Sequence, residues 1–125
     1  MYSTIVDSTP LIKVSTGKHE TTFSVNGSQM NPLEGFYATL AACAAVYAKK
    51  ACKELGIPAD GIAIDCKPFA GPKGALSLAK FKTDVRFPEH FTAEQKSAIL
   101  DSIAECAVKK VVLEGAAIDF QVAEV

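Results

Sequence analysis

Asn31-Pro32-Leu33-Glu34-Gly35-Phe36-Tyr37-Ala38-Thr39-Leu40-Ala41-Ala42-Cys43-Ala44-Ala45-Val46-Tyr47 is the stretch whose reading decides the architecture. Asn31 suits a helix cap, because its side chain accepts a hydrogen bond from a backbone N–H that the helix leaves unsatisfied. Pro32 suits the first helical position, where a missing donor does no harm. Glu34 falls at the third position, facing the positive end of the helix dipole. The helix is expected to run to about Leu55, where Gly56 can end it and Pro58 forbids continuation. At 1.5 Å per residue it spans about 36 Å. Its first half is apolar nearly all round, and a helix without a polar face is normally buried on every side. One sheet and one further helix of so short a chain would struggle to cover it, so a homo-oligomer, a dimer first of all, is expected.

Working outward, Leu11-Ile12-Lys13-Val14-Ser15-Thr16 and Glu20-Thr21-Thr22-Phe23-Ser24-Val25 are β-branched and partly alternating, and read as a hairpin around Gly17-Lys18-His19. Residues 62–69 and 76–87 are two further strands flanking Gly71-Pro72-Lys73-Gly74. Thr92-Ala93-Glu94-Gln95 is a capping-box pattern. It opens a helix with Ile99, Ile103, Cys106 and Ala107 on one face. Ile118, Phe120 and Val122 alternate with Asp119 and Gln121, as in a last, half-buried strand. The class is α+β, in one domain over residues 1–125.

Composition bounds the function. The chain has 125 residues, 49% of them hydrophobic, enough for a core without staples. Thirteen basic residues against 14 acidic ones leave a formal charge of −1. Neither nucleic acid nor an anionic membrane is implied. The N-terminal residues lack a basic region followed by an apolar run, so no secretory leader is expected. The longest apolar run, Gly35 to Ala48, is 14 residues, short of the roughly 20 that cross a bilayer. A soluble cytoplasmic protein is the expectation.

Cys43, Cys52, Cys66 and Cys106 are the four cysteines. Structural disulfides are rare in a cytosolic setting, which leaves thiol chemistry or plain packing. No Cys-x-x-Cys pair exists and neither histidine lies near a cysteine, so no metal site is expected. Cys43 lies mid-helix, where no helix N-terminus lowers its pKa. As a nucleophile it needs a cation, from Lys18, Lys50 or a partner subunit. As a buried small hydrophobe it needs nothing, and the residues alone leave both readings open. Phe36, Leu40 and Tyr47 share its helix face, as an apolar slot or as core. Cys52 and Cys66 read as packing residues.

The segment Asn31 to Cys43 resembles the first cysteine motif of the OsmC/Ohr family, an Asn-Pro-x-Glu-type helix start followed by an apolar helix with a central cysteine. Ile103-Ala104-Glu105-Cys106-Ala107-Val108-Lys109-Lys110-Val111-Val112-Leu113-Glu114-Gly115 resembles the second, and the separation of 63 residues suits it. The resemblance implies antiparallel sheets packed around a long buried central helix in an intertwined homodimer. It implies a thiol peroxidase that protects against oxidative stress by reducing organic hydroperoxides, without metal or organic cofactor. Cys43 would attack the peroxide, Cys106 would resolve the sulfenic acid as a disulfide, and a dithiol reductant of lipoyl type would restore the thiols. Lys18, Glu34, Phe36, Tyr47 and Lys50 are the weaker site candidates, for thiol activation or substrate contact.

The chain also departs from the family pattern. Its single arginine, Arg86, lies in a later segment than the family's early-strand arginine, with only Lys18 near that place. Leu33 stands ten residues before Cys43, where peroxidase members carry a glutamate; Glu34, nine before, points to the other side of the helix. Ala107 replaces the usual proline. These departures fit a less characterised OsmC-like branch better than Ohr proper. They keep open two alternatives: a dimer that binds a small apolar ligand without catalysis, and a redox-sensing or structural dimer.

Overall fold

The computed structural model describes residues 1–123. The chain divides into two compact units, Met1–Thr39 and the residues from Leu40 onward. Helix α1 (Pro32–Leu55) begins in the first and continues into the second.

In the first unit, β1 (Leu11–Thr16) and β2 (His19–Ser24) form the expected antiparallel hairpin, in register from Leu11 opposite Ser24 to Thr16 opposite His19. Gly17 makes the tight turn at a positive φ of 55°. Ser24, the buried polar residue at the end of β2, is satisfied by the chain itself: its hydroxyl donates to the Gln29 carbonyl at 3.0 Å and accepts from the Gln29 N–H at 2.9 Å. The start of α1 is capped reciprocally. The Glu34 N–H donates to Asn31 Oδ1 at 2.8 Å, and the Asn31 N–H donates to Glu34 Oε1 at 3.0 Å. Phe23 of the hairpin lies so close to Gly35 that a Cβ there would sit 2.3 Å from the ring, which is why the helix carries glycine in its first turn.

In the second unit, α1 ends in a Schellman arrangement around Gly56, at φ 71°. The Gly56 N–H reaches the Lys53 carbonyl and the Ile57 N–H reaches that of Cys52. Strands β3 (Ala63–Gly71) and β4 (Gly74–Arg86) form a long antiparallel hairpin, irregular between Phe69 and Gly71. One face carries Ile64 and Val85 into the core. The other, through the opposed pairs Asp65/Asp84 and Lys67/Lys82, faces water, where Arg86 pairs with Asp65 and Lys82 with Asp84. Helix α2 (Ala93–Ala104) opens on the expected box between Thr92 and Gln95. Its Ile99 and Ile103 pack with Ala44, Ala48, Ala51 and Cys52 of α1 and with Phe91. Three alanines on one stripe of α1 let the α2 branched side chains approach closely, and the Ser102 hydroxyl donates to the Tyr47 carbonyl at 3.0 Å.

Within the single chain the first half of α1 is covered in part: Leu40 and Ala44 are buried, while Phe36 and Val46 are exposed. Two expectations change. The helix after Thr92 does not run through Cys106. It tightens at its end, with the Glu105 N–H on the Ser102 carbonyl and the Cys106 N–H on that of Ile103. A second helix, α3 (Ala107–Glu114), then begins with Cys106 at its N-cap and ends at Gly115. Residues 116–123 form no strand, and Ile118, Phe120 and Val122 lie open at 75–99% exposure. Alternation marks a segment able to pair, but it supplies no edge to pair with.

Candidate active site

The turn that separates α2 from α3 brings Cys106 against the middle of α1, and Cys43 and Cys106 are joined in a disulfide with Cα atoms 6.2 Å apart. That spacing is ordinary for a bridge. Their surroundings differ. Cys106 is fully buried, at 0% exposure, whereas Cys43 is only half-buried. Cys43 sits mid-way along a helix of 24 residues, where the backbone N–H groups are spent on the ladder. Cys106 is the N-cap residue of α3, and its side chain makes no capping hydrogen bond there.

An apolar groove of about 320 Å³ is lined by residues one turn along the helices from each half-cystine, with neither sulfur in its wall. Its walls are Leu40, one turn before Cys43; Leu78 and Phe81 from β4; and Val112 and Leu113 from α3. Two lysines edge it, Lys80 and Lys109, the latter one turn after Cys106. The Lys80 ammonium also stands 5.6 Å from the Phe69 ring. A larger hollow, of about 480 Å³, lies in the first unit among Ser3, Asp7, Thr9, Lys13 and Glu20, and contains no thiol. There the Thr9 hydroxyl and N–H hold the Asp7 carboxyl below the usual carboxylate range.

The remaining sequence candidates scatter. Tyr47 and Lys50 lie on α1 with the Lys50 ammonium 5.8 Å from the Tyr47 ring. Lys18 occupies the exposed β1–β2 turn of the first unit. Glu34 is engaged in capping Asn31, and Phe36 rests against Tyr37 with ring centroids 5.9 Å apart. Lys109 and Lys80 were missed by the sequence reading. The signal for Lys109 was its place three residues after Cys106, which matters once a helix starts there.

Cys52 is buried in the core, and burial pushes its thiol pKa up. The Cys66 thiol donates weakly to Thr83 Oγ1 at 3.6 Å. Next to Cys106, Lys110 donates to Glu105 at 2.6 Å; this surface contact lowers the Glu105 pKa and raises that of Lys110. Among the described residues, no three His, Cys, Asp or Glu side chains gather as a metal site, and no helix is long and apolar enough to cross a membrane.

In solved structures the same fold recurs. An OsmC-like protein from Mycoplasma pneumoniae superposes with a TM-score of 0.73 at 11% identity, over 90% of this chain and 86% of that one. A Psychrobacter arcticus 273-4 protein, provisionally described as an osmotic stress induced and detoxification response protein, superposes with a TM-score of 0.73 at 10% identity, over 87% of this chain and 85% of that one. The curated proteins give no significant match. Compared with protein families, residues 25–121 match the family described as OsmC-like protein. With that match spanning both cysteines and every helix, the chain belongs to the OsmC-like family.

Proposed function

We propose that this protein is a thiol-dependent peroxidase for organic hydroperoxides, working as a cytoplasmic homodimer through Cys43 and Cys106. The observation that carries the reading is the pairing of these two sulfurs, 63 residues apart in sequence. The Cys43 thiolate attacks the outer oxygen of the hydroperoxide. The O–O bond breaks, an alcohol leaves after taking up a proton, and Cys43 becomes a sulfenic acid. The Cys106 thiol then displaces that hydroxyl as water and closes the disulfide. A dithiol, lipoyl-type or similar, takes the bridge back to two thiols and is itself oxidised. The chemistry uses sulfur alone. Leu40, Leu78, Phe81 and Val112 suit the alkyl part of the substrate, and Lys109, which lines the same groove three residues after Cys106, is our candidate for the cation that a mid-helix thiolate requires.

A dimer suits the surface as well as the resemblance. Val46, Val111, Leu113, Ile118, Phe120 and Val122 are all exposed, apolar surface that a second copy of the chain would cover. The test is consumption of cumene hydroperoxide with excess dithiothreitol. Wild type turns over many equivalents and Cys43→Ser none beyond background; equal consumption by the two ends the peroxidase reading. The groove also favours a second reading, a non-catalytic dimer that holds an apolar ligand, which predicts a retained ligand in native mass spectrometry and no turnover.

A further inference from the structure

We infer that reduction of the bridge is directional: the incoming thiol attacks Sγ of Cys43, and Cys106 leaves as the thiolate. The inference deepens the peroxidase reading, since it assigns the step that restores the two thiols, and it rests on that reading for its place in a cycle.

Two independent features of the site point the same way. The first is access. Thiol–disulfide exchange runs through attack along the S–S axis, so its outcome depends on which sulfur can be reached from outside. Cys106 has 0% exposure, and its outer side is occupied by protein. Cys43 keeps part of its surface open on α1. The second is the leaving group. Exchange is faster when the departing sulfur is the better-stabilised thiolate. Cys106 is itself the N-cap residue of the eight-residue α3 and, while bridged, makes no capping hydrogen bond; once released, its thiolate stands at the positive end of that helix, where the first-turn amides have no side-chain cap. Cys43, between engaged turns of α1, has neither.

The steps balance. A thiolate of the dithiol forms a bond to Cys43 Sγ, the Cys43–Cys106 bond breaks, and its electron pair goes to Cys106, which then takes up a proton. The second thiol of the reductant loses its proton and attacks its own sulfur in the mixed disulfide. That step expels the Cys43 thiolate and releases the cyclic disulfide. The enzyme emerges with both cysteines reduced, ready for the next peroxide.

The experiment forms the bridge with diamide, so that it does not depend on peroxidase activity. Oxidised full-length protein is mixed with one equivalent of glutathione, quenched in acid within seconds and mapped by mass spectrometry; if the bridge resists, excess 2-mercaptoethanol replaces glutathione. At least ten adducts on Cys43 are expected for each one on Cys106. A ratio near one, or a reversed one, overturns the assignment, and so does the failure of diamide to bridge the two. The peroxidase reading fails separately, by lack of hydroperoxide turnover, so the two failures are told apart.

Discussion

Opening the Cys43–Cys106 bridge should lower the melting temperature by an amount that follows from the chain length it closes. The half-cystines are 63 residues apart. Tying a loop of that length removes conformational freedom from the unfolded chain, an effect of about 4 kcal/mol in the chain-entropy account. Unfolding entropy near the melting temperature is about 2.1 cal/mol/K per residue. For 125 residues that gives roughly 0.26 kcal/mol/K, so 4 kcal/mol corresponds to about 15 °C. The assay is differential scanning calorimetry of diamide-oxidised and fully reduced wild type at one protein concentration, because the proposed dimer would melt in a concentration-dependent way. The Cys43→Ser/Cys106→Ser variant serves as control and should melt at one temperature whatever the redox treatment. A difference below about 3 °C between oxidised and reduced wild type would refute the reasoning, since a bridge this long-range cannot be thermally silent unless it is absent or strains the fold.

Gly35→Ala should destabilise by about 1–3 kcal/mol in urea unfolding, because the added Cβ meets the Phe23 ring at 2.3 Å; a neutral result would mean that the ring moves freely aside. Cys52 should resist iodoacetamide in the native protein at neutral pH, being 1% exposed with its thiol pKa raised by burial. The neutral thiol is favoured in the fold, so its contribution is present below the ordinary thiol pKa and is lost as pH rises through the elevated one. Melting temperature should therefore fall more steeply above pH 9 in wild type than in Cys52→Ala, and parallel curves would contradict the burial argument. Lys109→Met should raise the pH midpoint of Cys43 alkylation by roughly half a unit to one unit in reduced protein, with Lys109→Arg near wild type; an unchanged midpoint in Lys109→Met would remove Lys109 as the activating cation.

Local chemistry made most of the fold legible. Asn31, Pro32 and Glu34 carry the start of α1 in their own side chains, and Thr92 with Gln95 does the same for α2. Glycine at positions 17 and 56 fixes the ends of elements by backbone freedom alone. The misread boundary is instructive. Ile99, Ile103 and Cys106 fall at helical spacing, and Ala107 is a good helix former, so periodicity runs straight through the break. A proline at 107 would have announced the new helix. What ends α2 is the tightening at Glu105, and the caps and turns of the sequence hold no sign of it.

The last segment failed for another reason. Ile118, Phe120 and Val122 satisfy the pattern of a strand, but a strand also needs a neighbour, and pairing is a property of the assembled chain. The site divides in the same way. The cysteine pair was visible through the two motifs that flank it. The β4 wall of the groove meets Leu40 and α3 only through tertiary packing, and no linear spacing foretells that.

The central claim is that peroxide chemistry on Cys43 is resolved by Cys106. It is tested most directly by adding one equivalent of cumene hydroperoxide to fully reduced wild-type protein, quenching with acid and N-ethylmaleimide, and mapping every cysteine by mass spectrometry. The account predicts a single Cys43–Cys106 bridge in most molecules, with Cys52 and Cys66 still as thiols, and a sulfenic acid held on Cys43 in Cys106→Ser. Unoxidised Cys43 and Cys106 under the same treatment, or oxidation centred on Cys66, would contradict it.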